Sequence, residues 1–345
     1  MIIQLSILGR NDSYMKRLLD FCRADYADKL ELSCFSEITP FEQSLSRERY
    51  DIVLIDEALA CSVPELPNGT AIAWLTDEVY QEKDGLPAIC RYQGMSQFYR
   101  ELLALYAEHS DHSIRTESLV GEGALVFAVI GSSGGCGASC VAAALAKNLA
   151  ARKRRVVYIN LEPFGDPSLY FQGEGKETFS DLVYALKSNR ANLGIRMESI
   201  MRQDPCGVYF YAAPENPLER QEMTPEEGKQ LILNLQSQAE NDAIVVDIPF
   251  DFQQMPENLL RMASRIIVVV GANATSHSKL FWMVQSLKAA NETELLSRMV
   301  LLNNHGGQSP STIQLPVIGT LPEYSGGTEQ QVIQAMANHA LFNEI

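Results

Sequence analysis

The sequence predicts an α/β protein with two parallel-sheet domains in tandem. Short apolar runs recur through the chain, separated by amphipathic helical patterns. From Ala124 onward those runs are unbroken, as expected of strands buried on both faces of a parallel sheet. A glycine-rich stretch, Ser132-Ser-Gly-Gly-Cys-Gly-Ala-Ser139, joins one such run to an alanine-rich helical pattern. The length of 345 residues agrees with about two domains.

Strands are expected in the first part at 2–8, 29–35, 51–57, 71–76 and 88–92, the last one followed by a helix in "MSQFYRELLALYAE". Five βα units of this kind give a small five-stranded parallel sheet wrapped by helices. The expected boundaries are a first domain at 1–110, a linker at 111–123 and a second domain at 124–345, because "EHSDHSIRTESLVGEG" is polar and aperiodic. In the second domain strands are expected in "LVFAVIG", "RVVYINL", "GVYFYAAP", "DAIVVDIP", "RIIVVVG", "RMVLLNN" and "PVIGTLP".

A net charge of −15 argues against broad electrostatic binding to nucleic acid or anionic lipid, so no nucleic-acid partner is expected. The dense basic run "ARKRR" (151–155) reads as a turn. Seven scattered cysteines without a Cys-x-x-Cys pair fit a reducing cytoplasm. Cys136 and Cys140 stand at helical spacing and read as core positions, and the five histidines form no ligand cluster. The N-terminal apolar run reads as a strand, and no run approaches the roughly 18 residues that span a bilayer. The amphipathic C-terminal stretch follows Arg298, the last basic residue, and so reads as a packed helix or protein contact. Membrane insertion is not expected.

The first part resembles a response-regulator receiver domain, a flavodoxin-like fold. Asp56 ends "YDIVLIDEAL" where a phosphoacceptor would sit, and Thr76 ends the next strand. The acidic pair that would hold Mg²⁺ is replaced by Leu8-Gly9-Arg10-Asn11, and the expected lysine by the region of Arg91-Tyr92. Phosphoryl transfer to a carboxylate needs a cation. The resemblance is therefore to a pseudo-receiver, with Asp56 expected as a solvated strand-end residue.

In the second part "SSGGCGAS" resembles the deviant Walker A loop of ParA/MinD ATPases, a P-loop NTPase fold. "VVYINLEPFGDPSL" resembles their switch I, "NDAIVVDIPFD" their Walker B strand, and "LPVIGTLPEYSG" their late Val-x-Gly-x-Ile-Pro signature. The tandem resembles the TadZ/CpaE family, which places tight-adherence (Flp) pilus or type II-like secretion machinery. That resemblance implies ATP or ADP with Mg²⁺, a homodimer, pilus or secretion components as partners, and recruitment to a cell pole or the inner face of the membrane.

Gly134, Gly135 and Gly137 would let backbone N–H groups, with those of Cys136, Ala138, Ser139 and Cys140, converge on phosphate at a helix N-terminus. The resemblance gives Ser139 and Asp247 to Mg²⁺, the latter through water, and Asn303 to the adenine side. Ala138 and Ser133 replace the two lysines of the family's loop. Each lost charge-assisted bond is worth about 1.5–3 kcal/mol, weakening binding about ten- to a hundred-fold. A lost transition-state cation removes about 10³–10⁵ in rate, so binding is expected to outlast hydrolysis. Glu162 is a catalytic candidate, since Asn160 and Glu162 replace two switch I aspartates; both also read as plain strand-end caps. The expected function is an ATP-binding localisation scaffold with little or no hydrolysis. A slow ATPase switch cycling between monomer and dimer is the alternative.

Overall fold

The computed structural model describes residues 2–10, 13–27, 29–59, 66, 69–80, 82–109, 123–188, 192–249 and 254–345. The expected linker at 111–123 lies outside the described residues except at Gly123. The chain divides into two units, Met1–Arg115 with Arg190–Ser199, and Thr116–Asn189 with Ile200–Ile345.

In the first unit the elements are β1 (Ile3–Leu8), α1 (Ser13–Asp25), β2 (Leu30–Phe35), α2 (Ile38–Arg47), β3 (Ile52–Asp56), β4 (Ala71–Thr76), β5 (Glu82–Lys83), β6 (Leu86–Cys90) and α3 (Met95–His109). The sheet order is β2-β1-β3-β4-β6-β5, parallel except for the β5–β6 pair. Five parallel strands stand where the apolar runs place them, but the sheet gains a sixth, antiparallel strand. The reason is Asp84-Gly85, both at positive φ (50° and 77°), which make a two-residue hairpin turn. That hairpin occupies the β4–β6 connection, where a helix was expected, so the count of five βα units is corrected. Both sheet faces are covered, one by Leu18, Phe98 and Leu102, the other by Phe41, which packs with Ile55 and Trp74 of the sheet.

Asp56 is not the solvated residue expected. It is fully buried at the end of β3 and clamped by two arginines. Arg91 Nη2 lies 2.6 Å from Oδ1, Arg10 Nε lies 2.9 Å from Oδ2, and Ala58 N–H donates to Oδ1 at 3.0 Å. Burial works to raise its pKa, but the bonds from Arg91, Ala58 and Arg10 outweigh it and hold the carboxyl below its ordinary value. Arg91 also pairs with Asp77 at 2.7 Å.

The remaining elements are β7 (Leu125–Gly131), α4 (Ala138–Ala151), β8 (Val156–Asn160), α5 (Phe179–Ser188), α6 (Leu193–Ile200), β9 (Arg202–Gln203), β10 (Val208–Phe210), α7 (Pro217–Gln221), α8 (Pro225–Ser237), β11 (Ala243–Asp247), α9 (Gln254–Met262), β12 (Arg265–Val270), α10 (Ala274–Ala289), α11 (Thr293–Arg298), β13 (Met299–Asn303), β14 (Val317–Thr320) and α12 (Glu329–Ala337). All of α6 but its last residue belongs to the first unit, where Ile195 packs on the core and Glu198 meets Lys29 at 3.7 Å.

The second sheet runs β14-β13-β12-β7-β11-β8-β10-β9, parallel except for the two-residue β9 at its edge. The seven expected strands are present; β7 keeps the full run "LVFAVIG" and the other six are shortened at one or both ends. The five residues of β8 and of β11 are all buried, as their unbroken apolar runs require. Against this sheet lies α4, whose Ala142, Ala143, Ala144 and Ala146 are fully buried. Alanine suits that position because it favours the helix and lets its backbone approach the sheet closely. On α4 packs α12 through Ile333, Met336 and Ala337, so the C-terminal stretch is a packed helix. Within "ARKRR", Lys153 takes a positive φ of 62° and Arg152 donates to the Phe342 carbonyl. The run is a turn with one arginine committed to the C-terminal packing. Among the described residues no helix is long and apolar enough to cross a membrane.

Candidate functional site: a glycine loop facing a buried carboxylate

The loop between β7 and α4 doubles back on its own start. A Cβ at Gly131 would meet Cys136 Sγ at 2.8 Å, and Cys136 N–H donates to Ser133 O at 3.4 Å. Gly135 and Gly137 hold φ of +75° and +86°, a conformation open to glycine and strained for other residues. A Cβ at Gly134 or Gly135 would meet nothing within 4 Å. The loop therefore presents an exposed, side-chain-free surface.

Neighbouring strand ends pin the loop from beneath. Ser132 N–H donates to Val269 O at 2.9 Å, and the Ser132 hydroxyl bonds that of Ser276. Ser276 Oγ also accepts from Gly271 N–H at 2.8 Å. From the end of β13, Asn304 Nδ2 donates to Cys136 O at 2.9 Å. The fourteen-residue α4 follows Gly137, an N-cap without a side chain, which leaves its first N–H groups directed to the loop side.

Parallel register places Asp247, at the end of β11, beside Asn160 at the end of β8. Asp247 Oδ2 accepts from Asn160 Nδ2 at 2.9 Å and from the Tyr158 hydroxyl at 3.1 Å. Its Oδ1 is buried and lacks a well-formed hydrogen bond. Burial pushes the Asp247 pKa up to about 7, with the Ser139 hydroxyl drawing it down and Glu162 adding to the rise. Ser139, in the first turn of α4, thus stands between the loop and this carboxylate. It also lies beside Tyr170, whose pKa is raised by burial.

Glu162 follows β8, and its N–H donates to Asn160 Oδ1 at 3.2 Å. A Cβ at Gly165 would fall 2.0 Å from that same Oδ1, so the chain after β8 is wrapped tightly around Asn160. Burial raises the Glu162 carboxyl pKa, opposed by Arg220. Arg220, on α7, donates through Nη1 to the carbonyls of Glu162 and Gly165.

Gly134, Gly135, Gly137, Ala138 and Ser139 thus form one turn, with Asp247 and Glu162 near it. Cys136 and Cys140 pack in or on the core, which leaves only their backbone to line the loop. Burial raises the Cys140 thiol. Asn303 is buried, donates to Thr320 Oγ1 at 3.4 Å and has no partner for Oδ1, while its neighbour Asn304 touches the loop. Tyr158, Ser276, Asn304 and Arg220 are site residues that the sequence did not single out.

These residues fit a magnesium-bound nucleotide. The bare glycine surface can approach phosphate, and Asp247 Oδ1 is a buried oxygen without a well-formed hydrogen bond. Among the described residues no group of three or more His, Cys, Asp or Glu could hold a metal ion. A cation here would therefore depend on phosphate oxygens together with Ser139 and Asp247.

The family model described as cellulose biosynthesis protein BcsQ matches residues 125–300, and that of the TadZ-like receiver domain matches residues 1–107. Among solved structures the chain is similar to a ParA family ATPase from Chlorobium tepidum TLS, at 20% identity over 65% of this chain and 96% of that one, with a TM-score of 0.53. It is also similar to a plasmid partition protein from Borrelia burgdorferi B31 bound to AMPPNP, at 15% identity over 64% and 95% of the two chains, TM-score 0.48. A third is the septum site-determining protein MinD complexed with Mg-ADP from Pyrococcus horikoshii OT3, at 14% identity over 62% and 94%, TM-score 0.47. No curated protein matches the chain. The chain belongs to the BcsQ family, with a ParA/MinD-type α/β domain that follows a TadZ-like receiver domain.

Proposed function

We propose that this protein is a nucleotide-held localisation scaffold that binds ATP or ADP with Mg²⁺ and hydrolyses little or none of it. The observation that carries this reading is the pairing of a bare glycine loop with Ser139 and the buried, half-satisfied Asp247, in a loop sequence that contains no lysine.

Backbone N–H groups of 134–139 would hold phosphate oxygens, and Ser139 with Asp247 would hold the cation. The bound group supplies phosphate charge and metal oxygen ligands. Tyr158 and Asn160 keep Asp247 oriented. Asn304 and Ser276 keep the loop in its binding shape before ligand arrives, which limits the ordering cost of binding. Ala138 and Ser133 offer no charge to a developing transition state.

In this reading the nucleotide stabilises one assembly state, a homodimer, by preferential binding. The first unit is its protein-contact module, with Asp56 held by Arg10 and Arg91 and no phosphoryl cycle at β3. BcsQ is described by cellulose biosynthesis. The TadZ-like match covers the first unit, so the partners proposed are components of a tight-adherence pilus or type II-like secretion system. They would recruit the protein in the cytoplasm to a pole or the inner face of the membrane. The retained Ser139, Asp247 and Glu162 support a second reading, a slow ATPase switch cycling between monomer and dimer.

Thermal unfolding with and without Mg-ATP or Mg-ADP tests the binding claim. Nucleotide at about a hundred times its Kd stabilises by about 2.7 kcal/mol, which is about 5–10 °C for a unit of this size. No shift at millimolar nucleotide would refute it. Steady turnover that Asp247→Ala abolishes would favour the switch.

A further inference from the structure

Arg220 is only 2% exposed, yet no carboxylate among the described residues lies within ion-pairing distance of it. Nη1 is spent on the Glu162 and Gly165 carbonyls, the latter at 3.0 Å, and Cζ lies 5.3 Å from the centre of the Phe179 ring. Nε and Nη2 are buried with no hydrogen-bond partner. In a guanidinium these two N–H groups point the same way. They form the planar fork that takes two oxygens of one carboxylate or phosphate. A buried charge with an empty fork is costly unless an anion fills it.

The three carboxylates whose charge reaches Arg220, Asp247, Asp166 and Glu162, are otherwise engaged or unsuited. Asp166 accepts from Ser168 N–H at 2.9 Å, and Asp247 Oδ2 is held by Tyr158 and Asn160. Glu162 makes no side-chain hydrogen bond or ion pair among the described residues, and burial favours its neutral form. Arg220 is also the cation whose field reaches both Asp247 and Glu162. Its Nη1 grips the segment that carries Glu162, and Asp247 feels the charge of both residues.

We propose that the Nε–Nη2 edge of Arg220 receives the terminal phosphate of a bound nucleoside triphosphate. The charge missing from the loop is thus supplied from α7, 82 residues after Ala138 in the chain. This rests on the nucleotide reading of the site. Because Nη1 holds the 162–165 segment, the same side chain reports the terminal phosphate to the backbone around Glu162. The site would then discriminate triphosphate from diphosphate without any lysine in the loop.

The test is calorimetric titration of the full chain with Mg-AMPPNP and with Mg-ADP, for wild type, Arg220→Gln, Arg220→Lys and Glu162→Gln. Loss of a charge-assisted fork weakens Mg-AMPPNP about ten- to a hundred-fold in Arg220→Gln. Mg-ADP affinity changes less than about three-fold, and Arg220→Lys, which keeps charge without the fork, falls between. Arg220→Lys decides the matter if Arg220→Gln fails to fold. Equal weakening of both nucleotides would overturn the proposal and leave the nucleotide site standing. So would Glu162→Gln destabilising the free protein as much as Arg220→Gln with discrimination intact, which would make Glu162 the occupant of the fork. Wild type binding neither nucleotide would overturn the reading of the site and this proposal together.

Discussion

Replacing two glycines of the loop separates its two roles, the scaffold of the turn and the bare surface it presents. Gly137→Ala puts a side chain at φ +86°, which costs about 1–2 kcal/mol for a non-glycine residue. Its Cβ would stand 2.5 Å from Asn304 Nδ2, so that amide must leave Cys136 O. Losing that bond leaves a buried carbonyl unpaired, which adds about 1–2 kcal/mol and brings the total to about 2–4 kcal/mol. For a unit of this size that is a fall in melting temperature of about 4–16 °C. Gly134→Ala meets nothing within 4 Å and needs no left-handed backbone. Its stability should match wild type within about 0.5 kcal/mol, while its methyl intrudes where phosphate would sit and weakens Mg-ATP. The assay is thermal unfolding of both variants, each with and without Mg-ATP. If Gly137→Ala were as stable as wild type, or if Gly134→Ala kept the full nucleotide shift, the account of the loop would be wrong.

In the first unit, Arg91→Met breaks a buried pair and should cost about 3–5 kcal/mol at neutral pH, read by chemical unfolding. Asp56 has a lowered pKa, so the stability it gives is present above its ordinary carboxylate value and lost as pH falls through the lowered one. Arg91→Met removes its strongest partner, and the acid-unfolding midpoint of the first unit should move to higher pH. Acetyl phosphate with Mg²⁺ should add no phosphoryl mass at Asp56, since both its oxygens are engaged and the side chain is fully buried. Ala138→Lys restores a cation at the start of α4 and should tighten Mg-ATP about ten- to a hundred-fold by calorimetry.

The strands were legible because their apolar runs are local and complete, as in "DAIVVDIP", which becomes β11 with every residue buried. The loop was legible because its glycines are adjacent and the expected conformations at 135 and 137 are backbone properties. The β5–β6 hairpin was also written locally, in Asp84-Gly85, but β5 has only two residues, too few to carry an apolar pattern. Asp56 was misjudged because its solvation depends on Arg10 and Arg91, which lie 46 and 35 residues away. Distance in the chain likewise hid the site's support. Arg220 stands 58 residues from Glu162, Ser276 stands 144 from Ser132, and Asn304 stands 168 from Cys136. Nothing in "NPLERQ" marks its arginine as buried, since a short segment with Pro and two charges reads as surface.

A loop without lysine should hold nucleotide and spare it. Equilibrium dialysis of the full chain against labelled Mg-ATP, followed by separation of the bound label into ATP and ADP, measures both halves at once. Saturable binding is expected, with the bound label recovered as ATP and converted at a rate barely above that in buffer. No bound label, or bound label that converts to ADP in wild type but not in Asp247→Ala, would contradict it.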